Sequence, residues 1–359
     1  MTGTKSYRLG VILLFCMMPL NCAAQDPGVG PPHHTANGFK NVHAYKENGF
    51  LDFLKWRWQR LWKKTPEPED HRFTRAANDP DFLRINSTQT TVTWIGHATV
   101  LLQVAGENIL TDPVFSKRAS PVQWAGPARL VPPGLSLEDL PRIDAVVISH
   151  DHYDALDEGS ILRLHDRPGG DGTRFFVPLG LKQWFQDRGV LRVTELDWWD
   201  QYEMPPLDII AVPVQHWSKR GLWGRNEHLW AGWVILGPDF RFFFSGDSGY
   251  CPHFKEIGKR LGPFDLAAIP IGAYAPRWFM KHHHVTPEEA LQIHLDIGAK
   301  KSIGIHWGTF ILTDEPLGEP PKRLKKALED QGLPPDNFVV LQHGETVILR
   351  AHSKINSQN

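Results

Sequence analysis

Cysteine is scarce in this sequence, which has only three cysteines among 359 residues. Two of them, Cys16 and Cys22, lie in an N-terminal segment that has the features of a cleaved export signal. Removal of that segment would leave Cys251 as a single thiol. The mature chain could then form no intrachain disulfide.

The sequence also lacks an excess of charge of either sign, with 39 basic and 40 acidic side chains and a net charge of −1. Binding to a nucleic acid needs a concentrated basic face, so nucleic acid is not among the predicted partners. A content of 41% apolar and 22% charged residues is typical of a globular protein, of one large domain or two. The 18 histidines are unusual, since imidazole is a common metal ligand and acid–base group at neutral pH.

The apolar run of residues 11–20 is too short to span a bilayer. It follows Lys5 and Arg8 and precedes small residues, which is the order of a secretory signal. We predict cleavage after Ala24, giving a mature net charge of −3 and export to the periplasm or cell envelope. Two alternatives stay open: residues 1–24 could remain as an anchor, or Cys22 could carry a lipid.

Residues 25–87 are predicted to form an N-terminal extension. Its first part, to about residue 48, is rich in Gly, Pro, His and Asn without an apolar period, so we expect an irregular leader. Residues 50–64 predict a basic amphipathic helix ended by Pro66, and such a helix can lie in a membrane surface. The alternative is that its apolar stripe packs on the rest of the protein. The stripe consists of Leu51, Leu54, Trp58, Leu61 and Trp62.

From residue 90 the sequence changes to short β-branched or apolar runs separated by turn residues, which predict strands. Strands dominate both halves, with helical patterns between and after them, so we predict two packed sheets covered by helices. We assign residues 88–352 to this domain and residues 353–359 to a tail. The helical patterns lie at residues 161–165, 180–188, 287–297 and 320–331.

Potential metal ligands follow four predicted strands. Two histidines two positions apart come directly after the apolar strand of residues 144–148. Alternate residues of an extended chain project to the same side, so these two imidazoles can bind one ion. With the ligands at the other strand ends, the set matches a hydrolytic site with two metal ions. The candidate ligands are His150, His152, Asp154, His216, Asp247 and His306.

These motifs resemble those of the metallo-β-lactamase superfamily. Further motifs over residues 91–309 are similar to the branch of N-acylphosphatidylethanolamine-hydrolysing phospholipases D. They include TWIGHATVLLQ, LTDPVFSKRASP, GDSGYCP and IHWGTF. The resemblance implies an αββα sandwich of the α/β class, with the metals at the open edge between the sheets.

The resemblance also implies a role for each candidate. Asp247 corresponds to the carboxylate that bridges two zinc ions, and His284 to a histidine on the substrate side. The candidate catalytic residues are therefore Asp247, Asp154 and His284. The ligands of the first zinc are His150, His152 and His216, and those of the second are Asp154 and His306 with the shared Asp247.

The sequence departs from this branch at two positions. Ala155 stands where a further ligand His follows the Asp, and Ala275 stands where a Glu is expected. With one imidazole fewer, the second zinc is expected to bind weakly, so that one site is tight and the other partly occupied.

Other residues near these motifs have weaker assignments. Asp112 resembles the superfamily acid that orients a ligand, although an Asp-Pro also initiates turns. His97 is either a site-lining residue or an internally bonded structural histidine. His282 and His283 have no counterpart in the branch, and we expect them to be solvated. Four aromatic residues are predicted to line an apolar pocket for acyl chains or to belong to the core: Trp217, Trp278, Phe279 and Trp307.

The resemblance implies hydrolysis by water that zinc activates at a pH of about 7. No Gly-x-Ser-x-Gly motif offers a rival nucleophile, and Cys251 is either structural or reactive. The leading prediction is a zinc phosphodiesterase that cleaves an N-acylphosphatidylethanolamine-like phospholipid and releases phosphatidate. A lactonase or other small-ester hydrolase is the second, and a metal-binding regulatory protein with weakened catalysis is the third. The predicted partners are the substrate, a membrane surface at residues 50–64 and a second copy of the chain.

Overall fold

The computed structural model describes residues 30–43, 45, 47–62 and 73–351. The predicted export signal at residues 1–24, the tail at residues 353–359 and the predicted helix end at Pro66 lie outside the described residues. The described residues from His33 onwards belong to one compact unit. A division into extension and main domain after residue 87 stays a prediction.

Two short strands and two helices precede the sheets. β1 (His34–Thr35) and β2 (Gly38–Phe39) form a hairpin, followed by α1 (Phe50–Trp62) and α2 (Pro80–Ile85). α1 agrees with the helix predicted from residue 50 onwards. Within the described residues, no helix is long and apolar enough to cross a membrane.

The first sheet begins as an antiparallel meander and continues with parallel strands. Short turns join its first three strands, whereas longer crossovers join the parallel ones. Its spatial order is β16-β3-β4-β5-β6-β7-β8. The strands are β3 (Gln89–Gly96), β4 (Thr99–Val104), β5 (Glu107–Thr111), β6 (Ala145–Val147), β7 (Arg174–Pro178), β8 (Val193–Leu196) and β16 (Thr346–Ala351).

The second sheet has the same plan, with antiparallel strands followed by parallel ones. Its spatial order is β15-β14-β13-β12-β11-β10-β9. The strands are β9 (Gln201–Met204), β10 (Leu207–Val212), β11 (Gly232–Leu236), β12 (Arg241–Phe244), β13 (Leu266–Pro270), β14 (Ser302–Ile305) and β15 (Phe338–Val339).

The two sheets pack face to face through a large apolar core. Successive side chains of β4 point to opposite faces, so Leu102 lies in this core while Leu101 belongs to a second cluster. The second cluster packs the first sheet against helices on its outer side. The indole N–H of Trp233 crosses between the sheets and donates to the Ile148 carbonyl oxygen at 2.9 Å. This contact fixes the chain just before His150.

Helices cover the outer faces of both sheets, which confirms the predicted αββα sandwich of the α/β class. α3 (Glu158–Asp166) and α4 (Lys182–Gln186) lie on the first sheet. The second sheet carries α5 (His253–Leu261), α7 (Pro287–Asp296) and α8 (Glu319–Asp330), with the short α6 (Arg277–Met280) before α7. The helices predicted at 287–297 and 320–331 agree with α7 and α8 within one residue, whereas α5 was not predicted.

Helix α1 is oriented with its apolar stripe away from the sandwich. Trp58, Leu61 and Trp62 are 64%, 74% and 77% exposed. On the opposite side, Trp56 is buried and Arg60 donates to the carbonyl oxygens of residues 312 and 313. Within the part of the chain that the structure describes, the stripe is therefore not packed on the sandwich.

Candidate metal centre

The candidate ligands lie just beyond the carboxyl ends of four strands. His150 follows β6, Asp247 follows β12 and His306 follows β14, and each of these strands is parallel to a neighbour. His216 follows β10 after a short extended segment. Because carboxyl ends of parallel strands meet at one edge of a sheet, the fold brings these side chains together.

A first cluster consists of the imidazoles of His150, His152 and His216. Nε2 of His216 lies 3.2 Å from Nδ1 of His152, and the ring of His150 is 4.5 and 4.6 Å from the other two rings. His150 and His216 are buried, and His152 is half-buried. Three imidazole nitrogens converging in this way can hold one metal ion.

A second cluster contains two carboxylates and three imidazoles. Nε2 of His306 lies 3.2 Å from Asp154 and 3.1 Å from Asp247. Nε2 of His97 lies 3.1 Å from the same oxygen of Asp154, and Nδ1 of His284 lies 4.0 Å from Asp247. Asp247 also lies 3.9 Å from Nε2 of His150, so it is placed between the two clusters.

The spacing of these atoms fits metal ions. Two ligand atoms bound to one tetrahedral zinc lie about 3.3 Å apart, given bond lengths of about 2.0–2.1 Å. The separations of 3.1 to 3.2 Å within both clusters are close to that value. Within the described residues, buried Nε2 of His150 and Nδ1 of His284 have no hydrogen-bond partner. The donor set therefore fits two divalent cations.

Hydrogen bonds behind the first cluster fix which nitrogen faces the site. Asp112 is buried and accepts from the Ser149 hydroxyl at 2.5 Å and from its backbone N–H at 2.7 Å. The Ser149 oxygen in turn lies 2.8 Å from Nδ1 of His150, which leaves Nε2 for a metal. Nδ1 of His216 donates to the His283 carbonyl oxygen at 3.0 Å, with the same result. Asp112 is therefore joined to the candidate ligand His150 through Ser149.

At neutral pH the site combines ionised carboxylates with mostly neutral imidazoles. Burial lowers the pKa of His150 and of His97 to about 4, so both rings keep a lone pair. Burial would also lower the pKa of His306, but Asp247 and Asp154 beside it raise that pKa to about 10. The two ionised carboxylates therefore favour a positively charged group, a proton or a metal ion, at Nε2 of His306.

Comparison with known proteins agrees with this geometry. The family model described as Beta-lactamase superfamily domain matches residues 107–307. The chain is 46% identical over 265 residues to N-acyl-phosphatidylethanolamine-hydrolyzing phospholipase D 1 of Caenorhabditis elegans, covering 70% of this chain and 74% of that protein. This chain belongs to the metallo-β-lactamase superfamily. Within it, the chain is a member of the phospholipase D branch that the sequence motifs indicated.

Two further matches extend the comparison. The chain is 34% identical over 244 residues to the mitochondrial N-acyl-phosphatidylethanolamine-hydrolyzing phospholipase D of Saccharomyces cerevisiae, over 66% of this chain and 51% of that protein. The structure of Igni18, a metallo hydrolase from Ignicoccus hospitalis, has the same fold, with a TM-score of 0.55 and 22% identity. The alignment covers 72% of this chain and 98% of Igni18. As a member of this superfamily, the chain is a metal-dependent hydrolase.

All six predicted ligands and His284 meet at this metallo-β-lactamase centre, together with a residue that the sequence left between a site-lining and a structural role. That residue is His97, whose ring lies 4.0 Å from the ring of His306. The small side chain at Ala155 is buried and offers no ligand atom. At the other departure from the branch, the backbone N–H of Ala275 donates to the carboxylate of Glu315 at 3.1 Å.

One prediction for the residues around the centre was wrong. His283 is buried rather than solvated, and it packs against Trp217 and Tyr45. Trp307 stacks on Trp94 in the core, which was one of the two alternatives for this residue. Trp217 packs on the ring of His152 at 4.5 Å and so lies next to the first cluster.

Phe279 and Trp278 lie against α1, and His282 lies against Tyr45. Phe279 stacks on Trp56, and Trp278 is 41% exposed with the ammonium group of Lys55 at 4.8 Å. His282 is half-buried and stacks on Tyr45 at 4.5 Å, so it is only partly solvated.

A third group of donors, distant in sequence from the centre, consists of His33, His34 and Asp197. The two Nε2 atoms lie 2.6 and 2.8 Å from the two oxygens of Asp197. These separations are shorter than those between ligands of one zinc and are those of direct hydrogen bonds. The group ties the β1–β2 hairpin to the loop after β8.

Proposed function

We propose that the chain is a zinc-dependent phosphodiesterase of the phospholipase D type, acting on N-acylphosphatidylethanolamine-like lipids. The observation that carries this proposal is the pair of buried donor clusters joined at Asp247. The name of the 46% identical relative supports the substrate class. Water would be added across the bond between phosphorus and the oxygen of the N-acylethanolamine, so that phosphatidate and an N-acylethanolamine are released.

The side chains of the centre would have two roles, binding the cations and orienting the substrate. When bound, zinc supplies Lewis acidity and makes water a nucleophile at a pH of about 7. The imidazoles of the first cluster would hold one cation, and Asp154 with His306 would hold the second. The ionised carboxylates of Asp154 and Asp247 offset the charge of the cations. Asp247, between the clusters, sets their separation.

His284 is positioned to contact the substrate. Burial lowers its pKa to about 4, so the ring is neutral at pH 7. Its Nδ1 atom, which has no partner among the described residues, lies 4.0 Å from Asp247. A neutral imidazole with N–H at this atom would donate a hydrogen bond to a phosphoryl oxygen held beside Asp247, where charge increases during phosphoester cleavage.

The exposed stripe of α1 supplies a surface for the membrane that contains such a lipid. Large apolar side chains and cations share this helix, and Lys55 and Arg57 are exposed beside the stripe. The inner side of α1 contacts Phe279 and Asp314. Phe279 lies just before His284 of the metal centre in the chain, and Asp314 lies just after His306. A membrane bound at α1 would therefore lie next to segments that carry the centre.

Hydrolysis of defined vesicles tests the proposed function. The full chain with added zinc would be incubated with vesicles of phosphatidylcholine containing N-acylphosphatidylethanolamine, and products measured by mass spectrometry. We expect equal amounts of phosphatidate and N-acylethanolamine, and no product from a His152→Ala variant. Hydrolysis of a lactone or a soluble short-chain ester without any phosphatidate would instead support the small-ester hydrolase.

We also propose a location in the cell envelope, which depends on the sequence of residues 1–24 alone. N-terminal sequencing of the protein from fractionated cells checks it: a start at residue 25 fits cleavage, and a lipid on Cys22 fits a lipoprotein. The homodimer stays a prediction that analytical ultracentrifugation of the purified chain would check.

A further inference from the structure

The second cluster contains an imidazole that its sequence motif does not supply. After Asp154 the chain has Ala155, and its methyl group cannot bind a metal. From this absence alone, a labile second ion is expected. The structure instead places His97, 57 residues earlier in the chain, against the same carboxylate oxygen of Asp154 that His306 contacts.

The geometry at His97 matches that of the ligands around it. Its Nε2 lies 3.1 Å from Asp154, against 3.2 Å for Nε2 of His306. The candidate donor atoms of His97, Asp154 and His306 lie within 4.8 Å of one another. His97 is 1% exposed, so its ring is confined to this position.

The backbone holds His97 in a conformation that an L-residue rarely adopts. Its φ is +55°, a left-handed conformation that is strained for a residue other than glycine. The backbone N–H of His97 donates to the Thr309 hydroxyl at 2.8 Å, and its carbonyl oxygen accepts from the His306 N–H at 2.9 Å. The indole of Trp94 donates to the same carbonyl oxygen at 2.9 Å. The segments of His97 and His306 are therefore joined directly, and the two rings face the same carboxylate.

We propose that Nε2 of His97 is the ligand of the second cation that takes the place of the imidazole missing at position 155. The second site then consists of His97, Asp154 and His306 with a share of Asp247, which is a complete tetrahedral set. This inference rests on the proposed function only in requiring that the centre binds divalent metal. It also removes the reason to regard the chain as a regulatory protein with weakened catalysis.

Metal stoichiometry and affinity test the inference without using activity. The full chain would be loaded with zinc, dialysed against a mild chelator and analysed for bound zinc, with dissociation constants from competition against a chromophoric chelator. We expect two equivalents in the natural chain and one in His97→Ala and His97→Gln. The second ion should bind these variants on the order of tens to thousands-fold more weakly, as for loss of one ligand.

A relocated ligand provides the decisive control. Adding Ala155→His to His97→Ala should restore the second equivalent, which a variant damaged in folding could not do. His294→Ala, which removes a buried histidine of α7 bonded to Ser302, should keep two equivalents. The cobalt-loaded proteins should show the visible absorption of the second site only where two equivalents remain.

The possible outcomes separate the inference from the proposed function. One equivalent in the natural chain, or two in both His97 variants, would overturn the role of His97 while leaving lipid hydrolysis to be measured independently. No bound zinc in the natural chain would overturn both. Two equivalents together with no lipid hydrolysis would support the His97 ligand and contradict the proposed substrate.

Discussion

The indole of Trp56 stacks on the ring of Phe279 with the centroids 5.2 Å apart. The same indole donates to the carboxylate of Asp314 at 3.3 Å, so this tryptophan fixes the rotation of α1 about its axis. An aromatic ring and the polar Arg60 thus take the inner side of the helix, and the apolar stripe is left outside. This is the reverse of the usual burial of an amphipathic surface helix.

We predict that replacing Trp58 and Trp62 by Ala weakens binding to anionic vesicles. Burial of a large apolar side chain stabilises by about 1.5–3 kcal/mol, so loss of two should weaken vesicle affinity by on the order of 100-fold or more. Vesicle co-sedimentation and hydrolysis of lipid in vesicles would measure the effect. Activity on a soluble short-chain ester should not change, because both side chains are exposed.

Two variants serve as controls for that prediction. Leu191→Ala removes an exposed apolar side chain beside β8, the edge strand of the first sheet, and should leave vesicle binding intact. Trp56→Ala should reduce activity on both substrates, since it removes a packed side chain. Equal losses on vesicles and soluble ester for Trp58→Ala with Trp62→Ala would show that the stripe acts through packing instead.

Replacement of Ser149 by Ala is expected to weaken the first metal ion without removing a ligand. The hydroxyl joins Asp112 to Nδ1 of His150, and loss of such an orienting group typically costs about 10–100-fold in metal affinity. Titration with zinc in the presence of a competing chelator measures the change. Ser149→Thr, which keeps the hydroxyl, should bind zinc more tightly than Ser149→Ala. Equal affinities for the natural chain and Ser149→Ala would contradict the positioning role.

His152→Ala is expected to lose metal and activity together. Its Nδ1 atom is one of three imidazole donors in the first cluster, and two imidazoles are an incomplete set for zinc. Zinc analysis after dialysis and the vesicle assay would be made on the same preparation. His165→Ala, on α3 outside both clusters, provides the matched control. A His152→Ala protein with full zinc content and full turnover would disprove the assignment.

The sequence predicted the ligands at strand ends better than the contacts between distant segments. His150 and His306 could be recognised because an apolar strand ends directly before each of them, and the fold class follows from the order of such strands. For His97 the sequence left two roles open, site-lining or structural, because a Gly-His-Ala turn after β3 does not show which loop it will face. Its position depends on the pairing of backbone groups with the segment of His306.

The sequence pattern also predicted neither helix α5 nor the orientation of α1. Phe254, Ile257 and Leu261 recur at helical spacing, but Gly258 between them has a low helix propensity. The structure explains this glycine, since a Cβ atom there would lie 2.2 Å from the Asp296 carbonyl oxygen of α7. For α1, periodicity shows that an apolar stripe exists but not which side of the helix contacts the protein.

Cys251 is expected to be unreactive in the folded chain, although the sequence alone left it either structural or reactive. The side chain is 1% exposed within the large apolar core, and burial raises the pKa of its thiol to about 12. Because the thiolate is the reactive form, raising the pKa keeps Cys251 protonated and inert from neutral pH to well above the usual thiol pKa of about 8.5.

A chain with Cys16→Ser and Cys22→Ser should therefore not react with an aromatic disulfide reagent at pH 8, but should release one equivalent of chromophore in guanidinium chloride. Addition of Cys251→Ala should leave lipid hydrolysis in place, since the proposed reaction uses no thiol nucleophile. Rapid labelling of the folded chain at pH 8, or loss of lipid hydrolysis with folding intact, would instead identify Cys251 as a reactive group.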